Sequence, residues 1–200
     1  LFAYRVRDKQ PVTDALRSVD PYYATVYGYY SEDTLNPWRV YNKSVPGYVN
    51  DLSQLEFGRG YWISVTQAVT LYLSQPPALA QTTGVLPASP PDTYYGVVRA
   101  TSTFTPTVGM TVEARINGVV CGRGVTKDDG GQVVYVVDVS ADNAPCNGGV
   151  SNSGCGRAGQ VIVFDVDHRR MMPPGVWDNS QLNPLDLTPV ETVYLPLVLR

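Results

Sequence analysis

The side chains that could perform nucleophilic chemistry are few: three cysteines, Cys121, Cys146 and Cys155, and a single histidine, His168. Cys155 with His168 would give a thiolate nucleophile and its base. In an oxidising compartment, however, three cysteines predict one disulfide and one remaining thiol. The residues alone leave two pairings open, Cys121 with Cys155 or Cys146 with Cys155.

His168 follows a strand-like segment, Gln160 to Val166 (QVIVFDV), and strand alternation would place it on the apolar face. Asp165 and Asp167 would then point to the other face, away from the imidazole. We therefore interpret His168 as a structural residue at a strand end. A single histidine also excludes metal sites that need two, and the sequence has no Gly-x-Ser-x-Gly elbow.

Oxygen ligands for a hard cation such as calcium are available on four residues: Asp128, Asp129, Asp142 and Asn143. No twelve-residue loop with a closing glutamate accompanies them. Asp-Asp-Gly-Gly is also what a hairpin turn requires, so the turn interpretation is favoured and no metal or other cofactor is predicted.

Tyrosine is abundant, with 14 residues, and several rings could stack on sugars. The candidates for glycan stacking are Tyr29, Tyr30 and Tyr48. Alternation along ATVYGYY would send about half of its rings into the core.

The segment Thr111 to Gly124 (TVEARINGVVCGRG) must position the first cysteine. Its apolar residues alternate with charged ones, and Asn117-Gly118 supplies the positive φ angles of a two-residue type I′ turn. This predicts a β-hairpin in which Ile116 pairs with Val119 and Ala114 with Cys121. Cys121 would then face the core.

The composition is typical of a secreted β-rich protein. Charged residues make up 16% of the 200 residues, and Gly and Pro contribute 18 and 16. The net charge of -3 provides no basic face for nucleic acid, and no apolar run is long enough to span a bilayer. Since residues 2–7 already alternate like a strand, we expect the chain to be a processed piece of a longer protein.

Three segments follow from the pattern. The pattern predicts a small aromatic-rich β domain over residues 1–75 and a proline-rich linker over 76–92. Residues 93–200 predict an antiparallel β-sandwich built from short strands. In the first segment we expect one short helix capped by Thr13. Tyr61 to Val65 and Val69 to Leu73 are predicted to form its closing strands.

Several motifs resemble those of modules in large secreted and cell-surface bacterial proteins. The first segment carries VYGYY, NPWRVY and GRGYWISV, and the last carries PTVGMTVEARI, VCGRG, YVVDV and CGRAGQVIVFDV, followed by Trp177 and Asn179. They are similar to a GRGYWI-type small β module, lacking its first residues here, and to a β-sandwich display module like immunoglobulin or fibronectin III domains. The resemblance implies scaffolding and display, and it favours the Cys121–Cys155 bridge.

The C-terminal residues TVYLPLVLR are apolar on both faces, which predicts an ordered edge strand containing Pro196. It could dock in its own molecule or in a neighbour, in which case it would be an assembly strand. Its alternating apolar residues are Val193, Leu195, Leu197 and Leu199.

Three functions remain open at this point. The leading hypothesis is a non-enzymatic structural, adhesive or assembly module of a bacterial surface protein, with other subunits or domains of the same polypeptide as partners. The first alternative is a carbohydrate-binding appendage of a secreted hydrolase. The second is an enzyme that uses a carboxylate pair such as Glu113 and Asp138.

Overall fold

The computed structural model describes residues 1–33, 36–73, 89–142 and 154–191, and these are mainly β, as predicted. The chain divides into two compact units, Leu1–Pro91 with Ala141–Ser153, and Asp92–Ser140 with Gly154–Arg200. Each unit has its own sheets, and they are described separately.

In the part of the first unit that the structure describes there are one four-residue α-helix, α1 (Val12–Ala15), and two 3₁₀ helices, Arg17–Tyr22 and Gly47–Val49. Its strands are β1 (Phe2–Ala3), β2 (Gln10–Pro11), β3 (Tyr23–Tyr29), β4 (Trp38–Asn42), β5 (Gln54–Leu55) and β6 (Gly60–Val65). An antiparallel sheet has the order β1-β6-β3-β4, and β2 pairs with β5.

Two local predictions for this unit are wrong. Thr13 lies inside α1, and the N-cap is Pro11, which makes no side-chain capping bond. Residues Val69 to Leu73 form no strand, although Val69, Leu71 and Leu73 pack against the core. The backbone of Tyr72 instead bonds the Ser18 hydroxyl, which accepts from its N–H at 3.0 Å.

The core of the first unit lies between one face of the sheet and the segment that contains α1. Its buried members are Tyr4, Val6, Val12, Ala15, Leu16, Val19, Tyr23, Val26, Leu52, Leu55 and Tyr61. On the other face of the sheet, Trp38 contacts Tyr29 and Trp62 edge to face, with ring centroids 5.1 and 5.2 Å apart. The inner strand β3 is therefore apolar on both faces, which explains its β-branched and aromatic sequence.

The described residues of the second unit form ten strands: β7 (Asp92–Val97), β8 (Thr111–Ile116), β9 (Val119–Val125), β10 (Lys127–Asp129), β11 (Gln132–Val139), β12 (Val161–Val166), β13 (Arg169–Met172), β14 (Gly175–Val176), β15 (Asn183–Pro184) and β16 (Thr188–Pro189). One sheet has the order β10-β11-β7-β15. The other has the order β16-β13-β12-β8-β9, with β14 also paired to β12.

The two sheets of the second unit bury aromatic rings between them. Tyr94 and Tyr135 of one sheet contact Phe164 of the other, with centroids 5.2 and 6.3 Å apart. The sandwich is not wholly antiparallel, because β15 pairs with β7 in parallel. Strand β7 begins at Asp92, a residue that the sequence had assigned to the linker.

The β8–β9 hairpin forms around Asn117 and Gly118, whose φ angles are 50° and 84° as the predicted turn requires. Ile116 pairs with Val119, but Ala114 pairs with Gly122 instead of Cys121, since a bulge inserts one residue. The predicted Ala114–Cys121 pair is therefore wrong, although Cys121 is buried.

The hairpin between β12 and β13 turns on Asp167 and His168, both with positive φ, 49° and 68°. Val166 ends β12 and pairs with Arg169. His168 therefore occupies an exposed turn and does not share the apolar face of the strand, contrary to prediction. Asp is among the few non-glycine residues that adopt this conformation readily.

Candidate functional site

A buried disulfide joins Cys121 of β9 to Cys155, with the two Cα atoms 5.4 Å apart. The predicted bridge is confirmed, and Cys146 lies outside the residues that the structure describes. Ser140 connects the two ends of the bridge, since its N–H donates to the Cys121 carbonyl at 2.8 Å and its carbonyl accepts from Gly156 N–H at 3.0 Å. The bridge therefore joins β9, the end of β11 and the approach to β12.

Trp177 packs on the glycine that follows the bridge. Its indole Nε1 donates to the Val139 carbonyl at 3.1 Å, and its backbone bonds Gly159 and Gln160. The indole occupies the space where a Cβ on Gly156 would lie. Trp177 thus packs beside the disulfide, against the residue that follows Cys155 and the end of β11.

The Cys155–His168 pair considered from the sequence does not form. The sulfur of Cys155 is bonded in the disulfide and is not a free thiol. Cys155 precedes β12, a strand of six residues, and His168 follows it. At roughly 3.3 Å per residue, the strand alone separates them by about 20 Å.

The candidate calcium ligands do not come together in the described part of the chain. Asp128 and Asp129 are exposed on β10, next to the beginning of β11. Asp142 lies three residues past the other end of β11. Asn143 is outside the described residues. Over residues 1–33, 36–73, 89–142 and 154–191, no three Asp, Glu, His or Cys side chains form a group that could hold a metal ion.

The three candidate stacking tyrosines occupy different environments. Tyr29 faces Trp38, whereas Tyr30 lies on the core side, with the Arg59 guanidinium 4.1 Å and the Arg39 guanidinium 5.7 Å from its ring centroid. Tyr48 lies in the 3₁₀ helix Gly47–Val49. Since Tyr29 and Tyr30 point to opposite sides of one sheet, they do not form a common stacking platform.

Glu113 and Asp138, the candidate carboxylate pair, lie on strands of different sheets and have other partners. Asp138 accepts from the Thr93 hydroxyl at 2.5 Å. Glu113 forms ion pairs with Arg115 at 2.5 Å and Arg123 at 3.0 Å. Burial acts to raise the pKa of Glu113, but the hydrogen bonds from the two arginines outweigh it and hold that pKa below its usual range.

Glu113 belongs instead to an ion-pair network on the outer face of its sheet. Asp165 lies directly opposite Glu113 on β12, and Arg115 contacts both, reaching Asp165 at 3.2 Å. Arg123 and Arg170 bind the outer sides of the two carboxylates. Three arginines therefore offset two acidic side chains that would otherwise repel each other.

A buried carboxylate that sequence reasoning missed is Asp92, at the start of β7 and without solvent exposure. It accepts from Asp178 N–H at 2.8 Å and from Asn183 Nδ2 at 2.6 Å. Burial raises the pKa of Asp92 to about 7, assisted by the nearby Asp178 charge and opposed by these hydrogen bonds. Its partners are more than eighty residues away in sequence, so no local pattern could have indicated its burial.

Next to it, the Tyr94 hydroxyl donates to the Val176 carbonyl at 2.7 Å and accepts from Val176 N–H at 3.0 Å. Burial, followed by the Asp92 charge, raises the pKa of Tyr94 to about 12. Asp92 and Tyr94 therefore attach the segment from Val176 to Asn183 to strand β7.

Comparison of the chain with protein-family models, with curated proteins and with solved structures found no match. Among the described residues, no helix is long and apolar enough to cross a membrane. The C-terminal residues Val193, Leu195, Leu197 and Leu199 lie outside the described part of the chain, so the assembly strand stays a prediction.

Proposed function

We propose that the chain is a non-enzymatic structural, adhesive or assembly module of a larger extracellular or cell-surface bacterial protein. The observation that carries this proposal is the buried Cys121–Cys155 disulfide within the sandwich. Disulfides of this kind persist in oxidising compartments, where they stabilise domains against unfolding. The motif resemblance to display modules supports the same assignment.

The hairpin loops also suit a scaffold. The connections β8–β9, β10–β11 and β12–β13 are two-residue turns, at Asn117-Gly118, Gly130-Gly131 and Asp167-His168. Binding and catalytic residues are found disproportionately on longer loops that a rigid scaffold presents. Two-residue turns leave few loop residues at these positions to form a catalytic site, which favours a rigid supporting role.

Exchange of the module in the full-length protein tests the proposal. Residues 1–200 would be replaced by a Gly/Ser linker, and surface abundance and assembly size would be measured by protease shaving and sizing chromatography. We expect the exchange to reduce assembly or attachment. Surface abundance, assembly and attachment that are all unchanged would contradict a structural role.

The purified chain would also be incubated with a panel of esters, glycosides, peptides and phosphoesters, and we expect no turnover. Glu113→Gln and Asp138→Asn serve as matched variants. Turnover that copurifies with the chain and falls in either variant would establish the enzymatic alternative.

A further inference from the structure

A groove of about 490 Å³ on the first unit runs beside α1. It belongs to no site discussed above. The groove is lined by Gln10, Asp14, Ala15, Arg17, Ser18 and Tyr72. Its volume falls within the range of about 300–1,000 Å³ that small-molecule sites occupy.

Tyr72 lines this groove, and the Ser18 hydroxyl bonds its backbone. Its N–H donates to the Ser18 hydroxyl at 3.0 Å, and that hydroxyl donates to the Tyr72 carbonyl at 3.3 Å. The residue is nevertheless 73% exposed, which makes Tyr72 the most exposed large apolar residue in the described ranges 1–33, 36–73, 89–142 and 154–191. Its ring is therefore a flat apolar surface that is open to a ligand, on a backbone that Ser18 bonds at both the N–H and the carbonyl.

Planar polar groups lie beside the ring. Arg17 forms an ion pair with Asp14 at 3.2 Å, and both side chains remain more than half exposed. The Gln10 Oε1 accepts from the Tyr4 hydroxyl at 3.0 Å, which fixes the orientation of that amide. The lining thus combines a guanidinium and an amide as donors with a carboxylate as acceptor.

The charged side chains that line the groove disfavour anionic ligands and calcium. One carboxylate and one guanidinium offset each other, so the lining has no surplus positive charge for a phosphate or sulfate. A single carboxylate is also too few oxygen ligands for a calcium site. A neutral ligand with many hydroxyls and one apolar face fits both the ring and the polar groups.

We propose that this groove binds a neutral oligosaccharide, with the C–H face of one sugar stacked on Tyr72. The sugar hydroxyls donate to Asp14 and accept from Arg17 and Gln10. This site is separate from Tyr29, Tyr30 and Tyr48, the tyrosines predicted from the sequence. It goes beyond the proposed structural role, because it gives the first unit a specific attachment to glycans.

The test uses the labelled full chain on an array of neutral hexose, hexosamine and pentose oligosaccharides, followed by titration of the best ligand. Tyr72→Ala is expected to weaken binding by about tenfold or more, since the stacking surface is lost. Tyr72→Phe keeps the ring and should remain within about twofold of the parent. Tyr22→Ala removes a 39% exposed tyrosine outside the groove and should leave binding unchanged.

Thermal melts would verify that each variant is folded. No binding to any glycan on the array would overturn the proposal, and so would a Tyr72→Ala affinity equal to that of the parent. Equal losses in Tyr72→Ala and Tyr22→Ala would also overturn it, because they would place the ligand elsewhere. The structural role is measured by assembly of the full-length protein, so either proposal can fail without the other.

Discussion

Gly156 lies directly against the indole of Trp177, with no room between them for a methyl group. Trp177 is 6% exposed and is held by its bond to the Val139 carbonyl, so it cannot move aside without breaking that bond. The φ angle of Gly156 lies outside the left-handed region, so its backbone conformation does not require a glycine. Tertiary packing against Trp177 does.

We expect Gly156→Ala to destabilise the second unit by about 3 kcal/mol or more, through overpacking and loss of the indole hydrogen bond. Urea unfolding followed by tryptophan fluorescence would measure the change. Gly47→Ala is the matched control, because nothing lies within 4 Å of the added Cβ. Similar losses in the two variants would show that the Trp177 contact is not the cause.

The disulfide should contribute about 3 to 4 kcal/mol to stability, because it closes a loop across a sequence separation of 34 residues and restricts the unfolded chain. Unfolding of the Cys121→Ser/Cys155→Ser double variant would measure this contribution. Non-reducing peptide mapping should recover Cys121 joined to Cys155, with Cys146 open to alkylation. A peptide joining Cys146 to Cys155 would contradict the pairing.

Asp92 predicts an unusual dependence of stability on pH. Its pKa is about 7 in the folded protein and about 3.9 when unfolded, so protonation favours the folded state. Stability should rise by about 2 to 3 kcal/mol as the pH falls from 8 to 5, with the full benefit present below the unfolded pKa.

Urea unfolding at a series of pH values would measure this effect. Asp92→Asn should flatten the profile between pH 5 and pH 8, because the buried charge is gone. Asp128→Asn, at an exposed position on β10, should leave the profile unchanged. An Asp92→Asn protein with the parent's slope would show that another group is responsible.

Arg115 separates two carboxylates that lie directly opposite each other, Glu113 and Asp165, both 13% exposed at the side chain. Arg115→Met should therefore destabilise the second unit by about 1 to 2 kcal/mol at pH 7, since it removes two ion pairs and exposes the repulsion. The loss should shrink at pH 4, because the hydrogen bond from Arg115 helps to hold the pKa of Glu113 low and its removal lets Glu113 take up a proton, which relieves the repulsion.

Chemical unfolding at both pH values would test this prediction. Arg123→Met is the control, because Arg123 is 57% exposed and its one ion pair within the described residues is with Glu113. A larger loss in the control than in Arg115→Met would indicate that the bridging position has no special effect.

Local patterns were sufficient for some elements and insufficient for others. Alternation and Asn117-Gly118 predicted the β8–β9 hairpin, since two-residue turns and burial both act over neighbouring residues. The bulge at Cys121 was missed because alternation does not reveal an extra residue. The same limit applied to His168, which enters a turn that contains no glycine.

The features of the candidate sites that the sequence did not indicate depend on distant partners. Asp92 looks like part of a proline-rich connection, and its burial depends on Asp178 and Asn183. Tyr72 lies in a strand-like sequence pattern, but its backbone N–H and carbonyl bond the Ser18 hydroxyl and not a neighbouring strand. Cys121 was an exception, because inward orientation and motif resemblance both favoured its bond to Cys155.

The position of the disulfide determines how the second unit would respond to tension applied along the chain. Tension that enters at Cys121 passes through the sulfur atoms to Cys155, so β10 and β11 between them carry no load. The chain between the two cysteines, which are 34 positions apart, would otherwise extend by about 115 Å. Under oxidising conditions, the disulfide prevents this extension even if the rest of the sandwich unfolds. The inner strand β11 then stays covalently close to β9, so its sheet can re-form when the tension is released.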